Sequence, residues 1–174
     1  MAVREPYINL VAGASIIGAI MSHAELIARY EKGAVDFDQA LARVPADLLD
    51  RAPSPGKWTI RQIAAHLADT ELVAATRMRF LAAEPGCELP GFNQDTWANT
   101  LGYAEQTPEQ ARALIRAVRQ STAAMLRTLP ESAWAHTGNH SKRGTVTLLS
   151  EVEVYAKHAE HHAQQIREVQ EKVR

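Results

Sequence analysis

The sequence predicts an all-α protein, a four-helix bundle with a long connection between its second and third helices. Three observations carry this. Four stretches bounded by prolines repeat apolar residues at steps of three and four, which lays one apolar face along each helix. Alternation of period two is sustained nowhere, so strands are not expected. The predicted helix starts carry capping residues.

The first helix rests on Ile27, Tyr30, Ala34, Phe37, Leu41 and Val44, ahead of Pro45. The second follows Pro53 and Pro55, with Ile60, Ile63, Leu67, Ala74, Met78 and Leu81 in its stripe. Thr59 and Gln62 form a capping box at its start, and Trp58 and Ile63 stand at the two positions of a hydrophobic staple. The connection from Pro85 to Gln106 holds Cys87, Phe92, Trp97 and Tyr103, so it is expected to pack over the bundle. Thr107-Pro108-Glu109-Gln110 repeats the box with proline at the first helical position. Ala111, Leu114, Val118, Thr122, Met125 and Leu129 then make the third stripe. Thr147 caps the last helix, whose stripe runs through Leu148, Val152, Tyr155, Ala159, His162, Ile166, Val169 and Val173.

At 174 residues, 46% hydrophobic and 22% charged, the chain has the size and composition of one globular domain and not of a disordered one. Nineteen basic residues face twenty acidic ones, so no basic excess exists to neutralise a run of phosphates and no nucleic-acid partner is expected. The one cysteine, Cys87, excludes an internal disulfide and a cysteine zinc cage. Seven histidines remain, and any metal would rest mostly on imidazole.

Residues 1–22 read as an apolar N-terminal extension to a domain spanning 23–174. The run Ile8–Met21 is 14 residues long, too short for a stable membrane span. Ser22-His23-Ala24 loosely resembles a cleavage site, but Arg4 is offset by Glu5, which weakens a signal-peptide reading. A cytoplasmic protein is expected, with export as the alternative should residues 1–24 act as a signal.

His158 and His162 are four residues apart, which stacks their side chains on one helix face and lets them share an ion. The motif is H-A-E-H-H, so the zincin glutamate is absent from its place, and His161 cannot comfortably join both neighbours. His66 lies at the edge of the second helix's stripe. Two histidines from one helix and one from another would make three protein ligands, the number that leaves a position open for chemistry. The same spacing also occurs on helix faces without metal, so spacing alone leaves both readings open. His23, His136 and His140 have no pair spacing and read as surface or loop groups.

The element from Lys57-Trp58-Thr59 through His66-Leu67, the loop residues Leu89 to Ala98 with Leu101-Gly102-Tyr103, and the run Trp134, Thr137-Gly138, His140, Arg143-Gly144 and Thr145 to Leu148 lead to the segment Tyr155 to Ile166. In this order they resemble the DinB-like/YfiT-like superfamily of metal-dependent enzymes, over roughly His23 to the C-terminus. The resemblance implies a four-helix bundle, a homodimer, and His66, His158 and His162 as ligands of a divalent metal such as zinc or nickel. It further implies a small-molecule substrate, with transfer of a low-molecular-weight thiol of the bacillithiol or mycothiol kind to an electrophile. Hydrolysis by metal-activated water, or metal binding and dimerisation without catalysis, are the alternatives. Within that frame Glu151 is a candidate base or orienting group, two turns before His158. Tyr155 and Gln165 flank the pair, and His140 is a candidate at the pocket mouth. Ordinary packing remains the alternative for each.

Overall fold

The structure, a computed structural model, describes residues 21–174. The extension and signal readings fall almost wholly on residues 1–20 and lie outside the described residues. The elements are α1 (His23–Ala42), α2 (Ile60–Ala83), β1 (Glu88–Leu89), α3 (Gln94–Thr100), α4 (Pro108–Thr128), β2 (Thr137–His140), β3 (Gly144–Thr147) and α5 (Leu148–Val173). Short 3-10 turns cover Ala46–Leu48 and Glu131–Ala135. Among the described residues no helix is long and apolar enough to cross a membrane.

The helix starts are capped by their own side chains. The Thr59–Gln62 box forms with both of its bonds, and Ser22 with Glu25 makes another at α1. Thr147 and Ser150 close the start of α5 in the same reciprocal way. At α4 only half of the expected box forms. Thr107 accepts from the Gln110 N–H, but its hydroxyl donates to Gln110 Oε1 at 2.9 Å, which takes that side chain away from the backbone.

The four long helices make the bundle, and their order in space differs from their order in the chain. Arg29 pairs with Glu160, and Gln170 donates to the Arg43 carbonyl, so α1 and α5 lie side by side and parallel. Arg112 reaches Asp38 while Arg127 reaches Glu31, so α4 runs antiparallel to α1. Arg61 bonds the Gln106 carbonyl just ahead of α4, and Arg79 bonds Thr122 near its end, so α2 and α4 are parallel neighbours. The chain that leaves α2 must therefore travel back along its 24 residues, about 36 Å, before α4 can begin. That return is the physical reason for the long connection.

The connection is not featureless. It carries α3, capped by Asn93, and β1, which pairs in parallel with β2. β2 and β3 form an antiparallel hairpin just before α5. The expectation of no strands is thus corrected: β2 and β3 are four residues long and β1 two, too short for a period of two to register. The buried face of α4 also sits about one residue away from the expected stripe. Ala111, Ile115, Arg119, Thr122 and Leu126 point inward, and Leu114, Val118, Met125 and Leu129 lie at its margins. The pattern misleads because an arginine occupies the centre of that face.

Two apolar clusters fill the bundle. One joins Leu26, Met78, Leu81, Trp134, Leu148 and Val152 near the hairpin. The other joins Phe37, Ile60, Ile63, Leu67, Ile115 and Ile166 at the far end. Between them lies a polar belt centred on Arg119, which is 1% exposed. Its guanidinium donates to Glu71 Oε1 at 2.5 Å, to the Tyr155 carbonyl at 2.6 Å and to the Tyr30 carbonyl. It also lies 4.2 Å from the centre of the Tyr30 ring, a cation–π contact. The Tyr30 hydroxyl donates to Glu71 Oε2 at 3.1 Å. Four helices meet in this one group. Gly33 makes room for it, since a Cβ there would stand 2.5 Å from Arg119 Nη1 and 2.9 Å from the Ala159 Cβ.

Arg119→Met is expected to lower the unfolding free energy by about 3–5 kcal/mol, because Glu71 is left as an unpaired buried charge. Adding Glu71→Gln removes that charge, keeps an acceptor for Tyr30, and is expected to restore much of the loss in urea denaturation. A double variant no more stable than the single one would show that the two groups are not coupled.

Candidate metal centre

α2 and α5 are antiparallel neighbours, and at the level of the polar belt each turns histidine inward. His66 and His162 are each 1% exposed and His158 is half-buried. One ligand nitrogen from each of the three lies within 4.8 Å of the others. His158 Nε2 and His162 Nε2 are 3.0 Å apart, and the His66 ring centre is 5.6 Å from that of His158 and 5.0 Å from that of His162. Metal–imidazole bonds of about 2.1 Å let two ligand atoms of one ion stand up to about 4.2 Å apart. The 3.0 Å pair meets that condition, and the third nitrogen lies within 4.8 Å of both. The donor set is all imidazole, which suits divalent first-row transition ions.

The surroundings keep these rings in the form that can ligate. Burial holds His66 at a pKa of about 4. Burial and the neighbouring imidazoles hold His158 and His162 well below the ordinary histidine range. All three are neutral at physiological pH, with a lone pair each. Gln165 Oε1 lies 2.7 Å from His162 Nδ1. With the amide oxygen accepting, Nδ1 carries the proton and Nε2 is left to face His158. Thr70 donates to the His66 carbonyl at 2.6 Å, which sets its hydroxyl beside the His66 ring, 3.4 Å from Nε2. The Trp58 ring packs on His66 with 4.8 Å between centres.

The other candidates fall at different distances from this group. Gln165 touches it directly. Tyr155 stands edge-on to His158 with 5.9 Å between ring centres, and its hydroxyl accepts from Arg77 Nη1 at 2.8 Å. Glu151 is fully buried but forms an ion pair with Arg143, outside the imidazole group. His161 packs near His162 at 5.3 Å between ring centres and is not part of the group.

His140 is not the surface group its lack of spacing suggested. It is 6% exposed beneath the hairpin turn, and its Nδ1 accepts the Lys142 N–H at 3.1 Å. Burial and the charges of Arg77, Arg143 and Lys142 hold it at a pKa of about 4. His23 stacks on Trp134 at 4.0 Å and pairs with Glu131, and His136 meets the Ala82 carbonyl. Sequence reasoning missed Arg77, Glu71 and Arg119. Arg77 carried a signal, since it lies eleven residues after His66 and therefore on the same helix face, where an apolar residue belongs.

The family model described as the DinB superfamily matches residues 29–166. A relative from Oceanobacillus iheyensis is 28% identical over 131 residues, 73% of this chain and 76% of its own. YfiT from Bacillus subtilis is 26% identical over 143 residues, 75% of this chain and 80% of its own. Both carry the name "putative metal-dependent hydrolase". The solved YfiT structure, described as having an unusual four-helix bundle topology, superposes with a TM-score of 0.81 at 23% identity, over 91% of this chain and 90% of that one. The mycothiol-dependent maleylpyruvate isomerase superposes at 0.69 and 16% identity, over 83% of this chain and 60% of that one.

Gln165→Ala is expected to weaken divalent-metal binding by about 10–100-fold while leaving far-UV circular dichroism unchanged, because it frees His162 Nδ1 without removing a ligand. In chelator-treated protein, stability is expected to fall as pH drops from 6.5 towards 4. Unfolded His66 takes up a proton near 6.5 and the folded ring only near 4, so its contribution is complete above the first value and gone below the second. Urea midpoints across this range check it, and His66→Leu should flatten the slope.

Proposed function

The chain belongs to the DinB superfamily, and from that premise we propose that it is a metal-dependent enzyme whose divalent ion, zinc or nickel, is held by His66, His158 and His162. The observation that carries the reading is the three neutral imidazoles whose ligand atoms lie within 4.8 Å of one another. We further propose that the nucleophile is a low-molecular-weight thiol, transferred to an electrophilic small molecule. A bound ion supplies Lewis acidity, which holds a thiol as its thiolate or lowers the pKa of water.

The chain's own residues favour the thiol. Water attack profits from a carboxylate base beside the nucleophile, and among the described residues the metal-capable group contains only imidazoles. Glu151 lies outside that group and pairs with Arg143 through Oε1, while its Oε2 has no hydrogen-bond partner among the described residues. A thiol would need no such base there, since a bound ion would lower its pKa far enough for solvent to take the proton. Hydrolysis is the second reading, and the names of the relatives favour it. Gln165 fixes the His162 tautomer, and Trp58 covers one side of His66.

Purified protein is expected to hold about one divalent ion per chain by elemental analysis, as one three-histidine site requires. His158→Ala or His162→Ala should remove most of it, and Cys87→Ser should not. Loaded protein should consume an alkylating electrophile only with an added thiol, lose this activity to chelator and regain it with metal. Turnover of an ester or amide panel without thiol would favour hydrolysis. Unchanged metal content in His158→Ala would exclude the site.

A further inference from the structure

Beside the imidazoles lies a second polar group that the metal reading does not use. Arg77 is 5% exposed and forms no ion pair among the described residues. Its Nη1 donates to the Tyr155 hydroxyl at 2.8 Å, its Nη2 to the Pro90 carbonyl, and its buried Nε to nothing. A buried guanidinium without a counter-charge is costly, and native proteins rarely leave one so. The carboxylate bound in this group, Glu151, pairs with Arg143 through Oε1, and its buried Oε2 has no hydrogen-bond partner among the described residues, so one carboxylate stands against three cationic side chains.

Two further donors have no acceptor among the described residues. The Tyr155 oxygen accepts from Arg77, so its own O–H proton is available. His140 accepts at Nδ1 from the Lys142 N–H, which puts its ring proton on Nε2. Arg77, Lys142 and Arg143 thus stand against one carboxylate, with a surplus of donors and of positive charge. The group joins the metal centre through Tyr155, whose ring is edge-on to His158.

We infer that Arg77, Tyr155 and His140 form a subsite for a carboxylate group next to the three imidazoles. Planar carboxylate matches a guanidinium donor and a hydroxyl donor acting together. The further step, that this carboxylate belongs to the substrate, rests on the proposed enzyme reading and narrows it to small organic acids.

The test is calorimetric titration of chelator-treated protein with succinate, its uncharged diamide and inorganic phosphate. Chelation removes the ion as a competing anion site. Succinate is expected to bind, the diamide not to, and phosphate to bind more weakly. Arg77→Gln and Tyr155→Phe should each weaken succinate by about tenfold or more, as loss of a charge-assisted bond predicts. Both variants should keep their metal when loaded. Should Arg77→Gln fail to fold, Tyr155→Phe decides, since it removes one oxygen only. No succinate binding by wild-type protein, equal binding of the diamide, tighter binding of phosphate, or variants that bind like wild type would each overturn the subsite. Absence of metal from wild-type protein would count against the enzyme reading and leave the subsite standing.

Discussion

One buried charge organises this protein. Arg119 sits where the four helices cross the polar belt, and its two terminal nitrogens bind backbone carbonyls of α1 and α5 and a carboxylate of α2. Apolar side chains can slide over one another at small cost, but these bonds demand one register. They hold α5 against α2 at Tyr155, one turn before His158. The imidazoles meet because the helices that carry them are pinned there. Gly33 belongs to the same constraint, since any side chain at that point would collide with the guanidinium.

Much of the architecture was legible in the residues. The four bundle helices follow from apolar steps of three and four; the stripe of α2 is buried as written, and that of α5 is buried from Leu148 to Val169, with Val173 half-buried. His158 and His162 were legible because a helix places residues four apart on one face. His66 needed more, because its partnership depends on which helix lies beside α2. No local pattern states that. The placement of α1 across the bundle from α2, and of α4 across from α5, was equally hidden, for helix order in space is set by connections and by contacts between distant residues. Arg119 was hidden for a different reason. A charged residue on an inward face reads as a break in the stripe until its partners Glu71 and Tyr30 are seen. The hairpin escaped because strands of four residues offer two alternations at most.

The metal-capable group and the donor group around Arg77 share one wall. Along α5 the inward residues run from Glu151 through Tyr155 to His158 and His162. Along α2 they run from His66 through Thr70 to Arg77. The antiparallel pairing sets these two lists against each other, so the wall grades from neutral imidazole at one end to guanidinium at the other. The connection after α2 closes over the charged end. Pro90 accepts from Arg77, Gly91 is held by Ser141, and Phe92 is held by Lys142. A segment made long by the return path of the chain is thereby tied down where the donors lie.

The parallel pairing of α1 and α5 bears on how the molecule can be re-engineered. The first residue of α1 and the last of α5 stand at opposite ends of the bundle. A direct bridge between those two helix ends would have to span about 30 Å or more, the length of a twenty-residue helix. The short Gly/Ser bridges that suffice for bundles with adjacent ends would pull one helix out of register.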